Sequence, residues 1–171
     1  GAKHFKLMLL DAISLNPNGV GIFISGDITD NGKESQYEEL FAIYNEVMSE
    51  TGANGVNYPM FFAIGNHDYP SAAGAFLSYA TLPDGSHPTD TSYDFWFNGY
   101  HYIMLGSDNP SGLYSSFTSE TLAWLDSALA ENRSESRPTF IFLHQKAVIR
   151  MVQLHHSILL QMYITKAKKH L

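Results

Sequence analysis

No cysteine occurs in the 171 residues. Neither a disulfide nor a thiolate metal ligand can be built, so any bound metal must be held by His, Asp, Glu or Asn. Charge is scarce: Asp, Glu, Lys and Arg make up 16% of the chain, against 44% apolar residues. That balance excludes a disordered chain and fits one globular domain with a real core. No apolar run reaches the length of a membrane span, and there is no repeat or low-complexity segment. Basic charge is missing from most of the chain. All 17 acids lie at or before Glu135, with four Lys or Arg in the same stretch and Arg137 just after it; after Gln145 there are five basic residues and no acid. The acidic body argues against nucleic acid as the main partner, and together with eight His it suits cations. The chain starts at Gly1 and shows no signal peptide, so a native start further upstream is expected. Compartment and oligomeric state are not assigned.

What is present reads as alternating elements. Apolar residues at helix spacing run from His4 to Leu15 and stop at Asn-Pro-Asn-Gly. Val20–Ser25 reads as a buried strand, Glu34–Glu50 as a helix with Tyr37, Leu40, Phe41, Tyr44 and Val47 on one face, and Pro59–Ile64 as a second buried strand. A short helix is expected over Ala72–Ala80 and an exposed loop over Leu82–Thr91. Two strands flank Asn98-Gly99, the dipeptide of a tight hairpin. Thr118 or Ser119 caps a helix reaching Asn132, with Leu122, Trp124, Leu125 and Leu129 expected to face inward. Pro138–Leu143 is another strand. The order predicts an α/β layered sandwich, a mixed β-sheet flanked by helices. The boundary falls at residue 145. Residues 1–145 form the domain, and 146–171 form a basic tail that reads either as an amphipathic helix or as an altered end.

Three apolar strands each stop at a ligand-type residue: "GIFISGD" at Asp27, "MFFAIGNHD" at Asn66 and "TFIFLH" at His144. Sites in α/β sheets form outside the carboxyl ends of strands. Convergence of the three ends would bring together a carboxylate, an amide and an imidazole, ligands suited to Mn, Fe or Zn. The loop after Asp27 is not a P-loop. Five residues separate Gly26 from Gly32, and Glu34 follows Lys33 where a hydroxyl is needed. Asp30 reads as a turn or cap residue, and His101 as a face residue of the hairpin. Asn132-Arg133-Ser134 fits a glycosylation sequon.

"GDITDNG" followed about forty residues later by "GNHD", each directly after a buried strand, resembles the calcineurin-like metallophosphoesterase family in its binuclear-metal form. The resemblance covers about residues 4–145. It implies a bridging carboxylate at Asp27 and ligands of the second metal at Asn66 and His144. It also implies a histidine reaching the leaving group at His67, oriented by Asp68. The implied cofactors are two divalent ions (Mn, Fe, Zn or similar). The implied activity is hydrolysis of small phosphate mono- or diesters by in-line attack of a metal-bound hydroxide. Asp30 stands where the purple acid phosphatase branch carries tyrosine, and no Tyr follows until Tyr37. That places the resemblance with cyclic-nucleotide and other phosphodiesterases. The family's upstream D-x-H and downstream GH-x-H are absent, and His155-His156 lacks the spacing to replace the latter. The domain is therefore expected to be incomplete at both ends and to hold at most one metal, weakly. The alternative is a non-catalytic domain that keeps the fold without a complete metal site.

Overall fold

Asn-Pro-Asn-Gly closes the first helix, α1 (Ala2–Leu15), with the Asn16 amide on the Ala12 carbonyl and the Gly19 amide on the Asn16 carbonyl. The computed structural model describes residues 2–69, 74–109, 114–131 and 137–147. After α1 come β1 (Ile22–Ile24), α2 (Glu34–Glu50), β2 (Met60–Phe62) and α3 (Gly74–Tyr79). Then follow β3 (Tyr93–Phe97), β4 (Tyr100–Met104), β5 (Tyr114–Ser115), α4 (Ser119–Glu131), β6 (Thr139–Phe142) and β7 (Lys146–Ala147). The chain is an α/β protein with mixed sheets, and none of its described helices is long and apolar enough to cross a membrane.

Side-chain alternation sets the layers. β1 and β2 pair in parallel, Phe23 beside Phe61 and Ile24 beside Phe62. Phe23 and Phe61 face the second sheet. Phe23 stacks on Tyr102 at 4.6 Å and on Phe142 at 5.3 Å, and Phe61 lies 4.6 Å from Phe95. Phe62 faces the other way, onto Phe41 of α2 and Phe76 of α3, while α1 packs on α2. In the second sheet β3 runs antiparallel and β6 parallel to β4. The outer face of that sheet carries Ile103, Leu105, Ile141 and Leu143 under Ala128, Trp124, Leu125 and Leu129 of α4. The order is therefore helices, sheet, sheet, helix. Each large apolar side chain at the layer boundaries contributes about 1.5–3 kcal/mol of burial.

Local signals hold the elements in register. Asn98 (φ 51°) and Gly99 (φ 76°) both adopt the left-handed conformation that a two-residue hairpin turn requires. Thr118 caps α4 by accepting the Thr121 amide at 3.2 Å. Leu122, expected inside, is half exposed and Ala128 is buried instead. The buried stripe runs through 124, 125, 128 and 129, and Leu122 lies about 90° around the helix from its centre. Lys146–Ala147 pairs in parallel with Tyr114–Ser115 as β7 beside β5. Residues 148–171, with the amphipathic-helix reading and His155-His156, lie outside the described residues, as does the sequon at 132–134.

Candidate functional site

The outlets of β1, β2 and β6 meet with almost no room between them. β1 leaves through Gly26 (φ 95°) and Asp27 (φ 54°), two successive left-handed residues that turn the chain sharply. Gly tolerates this freely and Asp is among the few side chains that do so. A Cβ on Gly26 would stand 2.8 Å from His144 Cβ and 2.9 Å from the Gly65 nitrogen. A Cβ on Gly65 would overlap Asp27 Oδ1 and the Asp27 amide nitrogen. Glycine at both positions is what lets the three strand ends touch.

Asp27 and His144 are brought face to face. Asp27 Oδ1 accepts the His67 amide at 2.9 Å, and Asp27 Oδ2 lies 3.0 Å from His144 Nε2. The other ring nitrogen, His144 Nδ1, donates to the Ser25 carbonyl at 3.0 Å. With Nδ1 protonated, neutral His144 would aim a lone pair at a carboxylate, which is repulsive. A proton or a cation is needed at that contact. Burial alone would push the Asp27 carboxyl up; the bond to His144, the His67 amide and charge attraction outweigh it, so it lies below the usual range. The Asp27 bond holds the His144 imidazole above its ordinary value, against burial.

The same geometry fits a metal. Two neighbouring ligands each about 2.1 Å from an ion stand about 3 Å apart. A ligating histidine commonly donates its second nitrogen to a backbone carbonyl, as His144 does. Asn66 is exposed between Gly65 and His67, on the loop that supplies the Asp27 contact.

His67 and Asp68 do not pair with each other. His67 Nδ1 donates to the Asp30 carbonyl at 2.7 Å, leaving Nε2 facing outward on an exposed residue. Asp68 is buried. Its Oδ1 accepts the Thr29 amide (2.9 Å) and hydroxyl (2.7 Å), and its Oδ2 accepts the Gly65 amide (2.9 Å). The expectation that Asp68 orients His67 is thus corrected: adjacent residues in a turn point apart, and the Asp30 carbonyl sets the His67 tautomer. Asp68 instead ties the two loops, each loop's carboxylate taking the other loop's amide. Burial raises the Asp68 carboxyl, although the Thr29 and Gly65 bonds pull it back.

A profile of the calcineurin-like phosphoesterases matches residues 3–164. The chain belongs to the calcineurin-like phosphoesterase family. It is 33% identical over 127 residues to a probable cyclic nucleotide phosphodiesterase of Rhodococcus erythropolis, covering 74% of this chain and 38% of that protein. It is 26% identical over 142 residues to a 3′,5′-cyclic-nucleotide phosphodiesterase of Nostoc sp., covering 83% of this chain and 47% of that one. An uncharacterized metallophosphoesterase of Helicobacter pylori is 27% identical over 140 residues, covering 80% of this chain and 33% of that one. The chain spans less than half the length of these curated relatives.

Two groups at this calcineurin-like site escaped the sequence reading. The Asp30 carbonyl carries no motif signal, because a backbone acceptor is open to any residue type, and Thr29 donates its amide and hydroxyl to Asp68, 39 positions away. The Asp27–His144 contact also has a pH signature. Asp27, lowered, stabilises the fold above the ordinary carboxyl value of 3.8, and that contribution is lost as pH falls through its folded value. His144, raised, stabilises below the ordinary 6.5, and its contribution is lost as pH rises through its folded value. The metal-free chain should therefore lose stability relative to His144→Gln as pH climbs above about 6.5. Urea unfolding of both proteins between about pH 5 and 9 checks this; parallel profiles would contradict it. Metal affinity should rise over the same range, because His144 Nε2 must shed its proton to ligate.

Proposed function

We propose that the strand-end loops form part of a metal-dependent phosphodiesterase centre whose substrates are small phosphate diesters of the cyclic-nucleotide class. The observation that carries this reading is the Asp27–His144 contact at 3.0 Å, with His144 Nδ1 tied to the Ser25 carbonyl at the junction of three strand ends. Asp27, Asn66 and His144 would hold a divalent ion, with Asp27 placed to be shared with a second one. The names of the relatives favour diesters and cyclic nucleotides. Bound divalent ions supply positive charge to the phosphate oxygens and make water a nucleophile at neutral pH.

The remaining work falls to residues of the chain. Gly26 and Gly65 let the strand ends close on one another, which brings Asp27 against His144. The cross-loop exchange of hydrogen bonds fixes the two loops relative to each other, so ligands and acid arrive in one geometry. His67, held by the Asp30 carbonyl, presents Nε2 outward. As water oxygen bonds to phosphorus and the ester P–O bond breaks, protonated Nε2 gives its proton to the departing oxygen.

The test compares two diesters with added Mn²⁺. An alkoxide leaving from a 3′,5′-cyclic nucleotide needs that proton; p-nitrophenolate leaving from bis(p-nitrophenyl) phosphate hardly does. His67→Gln should lower cyclic-nucleotide turnover by roughly 10²–10⁴ while reducing nitrophenyl ester turnover far less and leaving Mn²⁺ binding within a few-fold. A folded chain that binds no metal and hydrolyses neither ester would support the non-catalytic reading instead.

A further inference from the structure

A second cluster of ligand-type side chains lies away from the strand-end loops. Asp94 on β3, His101 on β4 and Glu131, the last residue of α4, each place one ligand atom within 4.8 Å of the other two. His101 aligns with Thr139, the first residue of β6, whereas His144 follows the last. The two clusters therefore sit at opposite ends of the β4–β6 ladder, separated by about 16 Å of strand.

Three observations bear on this cluster. First, His101 is completely buried and its ring lies flat on Trp96, at 4.9 Å and 7°, so its orientation is fixed. Its Nε2 meets Asp94 Oδ2 at 2.7 Å, yet its Nδ1 is buried with no hydrogen-bond partner. Nε2 is the nitrogen that a cation shared with Asp94 would take, because ligand atoms each about 2 Å from one ion stand about 3 Å apart. Second, α4 has no basic residue in its last turn, and it ends on the Glu131 carboxylate, like-signed with the helix terminus. A cation beside Glu131 would relieve both charges. Third, a cavity of about 570 Å³ reaches Asp94 and is walled by Asp90, Asp108, Glu120 and Trp124. Glu120, Trp124 and Glu131 fall on one side of α4 at helical spacing. Acidic walls concentrate cations and give the cluster an entry path.

We propose that Asp94, His101 and Glu131 hold a single zinc ion, fed from the acidic cavity, that staples the β3–β4 hairpin to the C-terminal end of α4. One imidazole and two carboxylates suit zinc and leave a fourth position for water. The proposal does not depend on the strand-end reading.

The test uses the full chain carrying Asp27→Asn and His144→Gln, which removes the carboxylate and the imidazole of the strand-end site. Calorimetric titration with Zn²⁺ should find one site in this background, and saturating Zn²⁺ should raise the thermal unfolding midpoint. Adding Asp94→Asn or Glu131→Gln should weaken zinc at least about 10-fold, as loss of even an orienting partner does, and abolish the rise. Glu131 is exposed, so its variant keeps the fold even if a change at buried His101 does not. No zinc binding in the background overturns the proposal. So does binding that is undiminished in both carboxylate variants.

Discussion

Asp27→Asn is expected to fold normally and to lose Mn²⁺-dependent phosphodiester turnover by at least about 10²–10³, the loss that removal of one transition-state contact brings. Asparagine tolerates the left-handed backbone that Asp27 adopts at φ 54°. Its amide oxygen can still accept the His67 amide bonded to Asp27 Oδ1. What disappears is the negative charge that answers His144 and that two ions would share. The variant should therefore separate charge from shape: unfolding in urea at neutral pH should show no more than the loss of the Asp27–His144 attraction, while Mn²⁺ affinity measured by titration collapses. Turnover at the wild-type level would remove Asp27 from the centre. The same substitution should flatten the pH dependence of stability attributed to the Asp27–His144 contact.

Gly65→Ala is expected to damage both fold and site. The added methyl would overlap Asp27 Oδ1 and the Asp27 amide nitrogen, and would come within 3.0 Å of Asp27 Cα. Two of those three atoms are backbone and cannot swing aside. Overpacking of this kind costs about 1–3 kcal/mol, and the upper end applies where backbone must move. The displaced atoms belong to the residue that faces His144, so metal binding should fall with stability. Gly74→Ala is the control, because a Cβ there meets nothing within 4 Å; its effect should stay within about 0.5 kcal/mol. Equal unfolding midpoints for the two variants would show that the loops can separate.

Much of this was readable from residue order. The span of α2 coincides with its apolar periodicity, and the Asn-Gly hairpin appears where its turn chemistry puts it. β1 and β2 are shorter than their apolar runs because the chain leaves the ladder to build ligand loops. Which face of each strand meets which layer was not readable. Ile-Phe-Ile and Met-Phe-Phe are apolar throughout and carry no alternation. At the site the residue types were legible but the wiring was not. His144 is held by the Ser25 carbonyl and His67 by the Asp30 carbonyl, and no side-chain identity encodes either. Asp68 follows His67 in sequence, which suggested a pair, yet the turn sends its carboxylate inward to Thr29.

The bond from His144 to the Ser25 carbonyl joins positions 119 residues apart. Contacts that long wait until the intervening chain has collapsed and its loop entropy has been offset. A chain emerging from the ribosome would carry Asp27 and Asn66 long before β6 exists to deliver the imidazole. Until then Asp27 lacks its histidine neighbour and any cation is held by fewer ligands. Metal binding at the strand ends should thus report completion of folding, because a nascent or misfolded chain would present Asp27 without the imidazole that faces it.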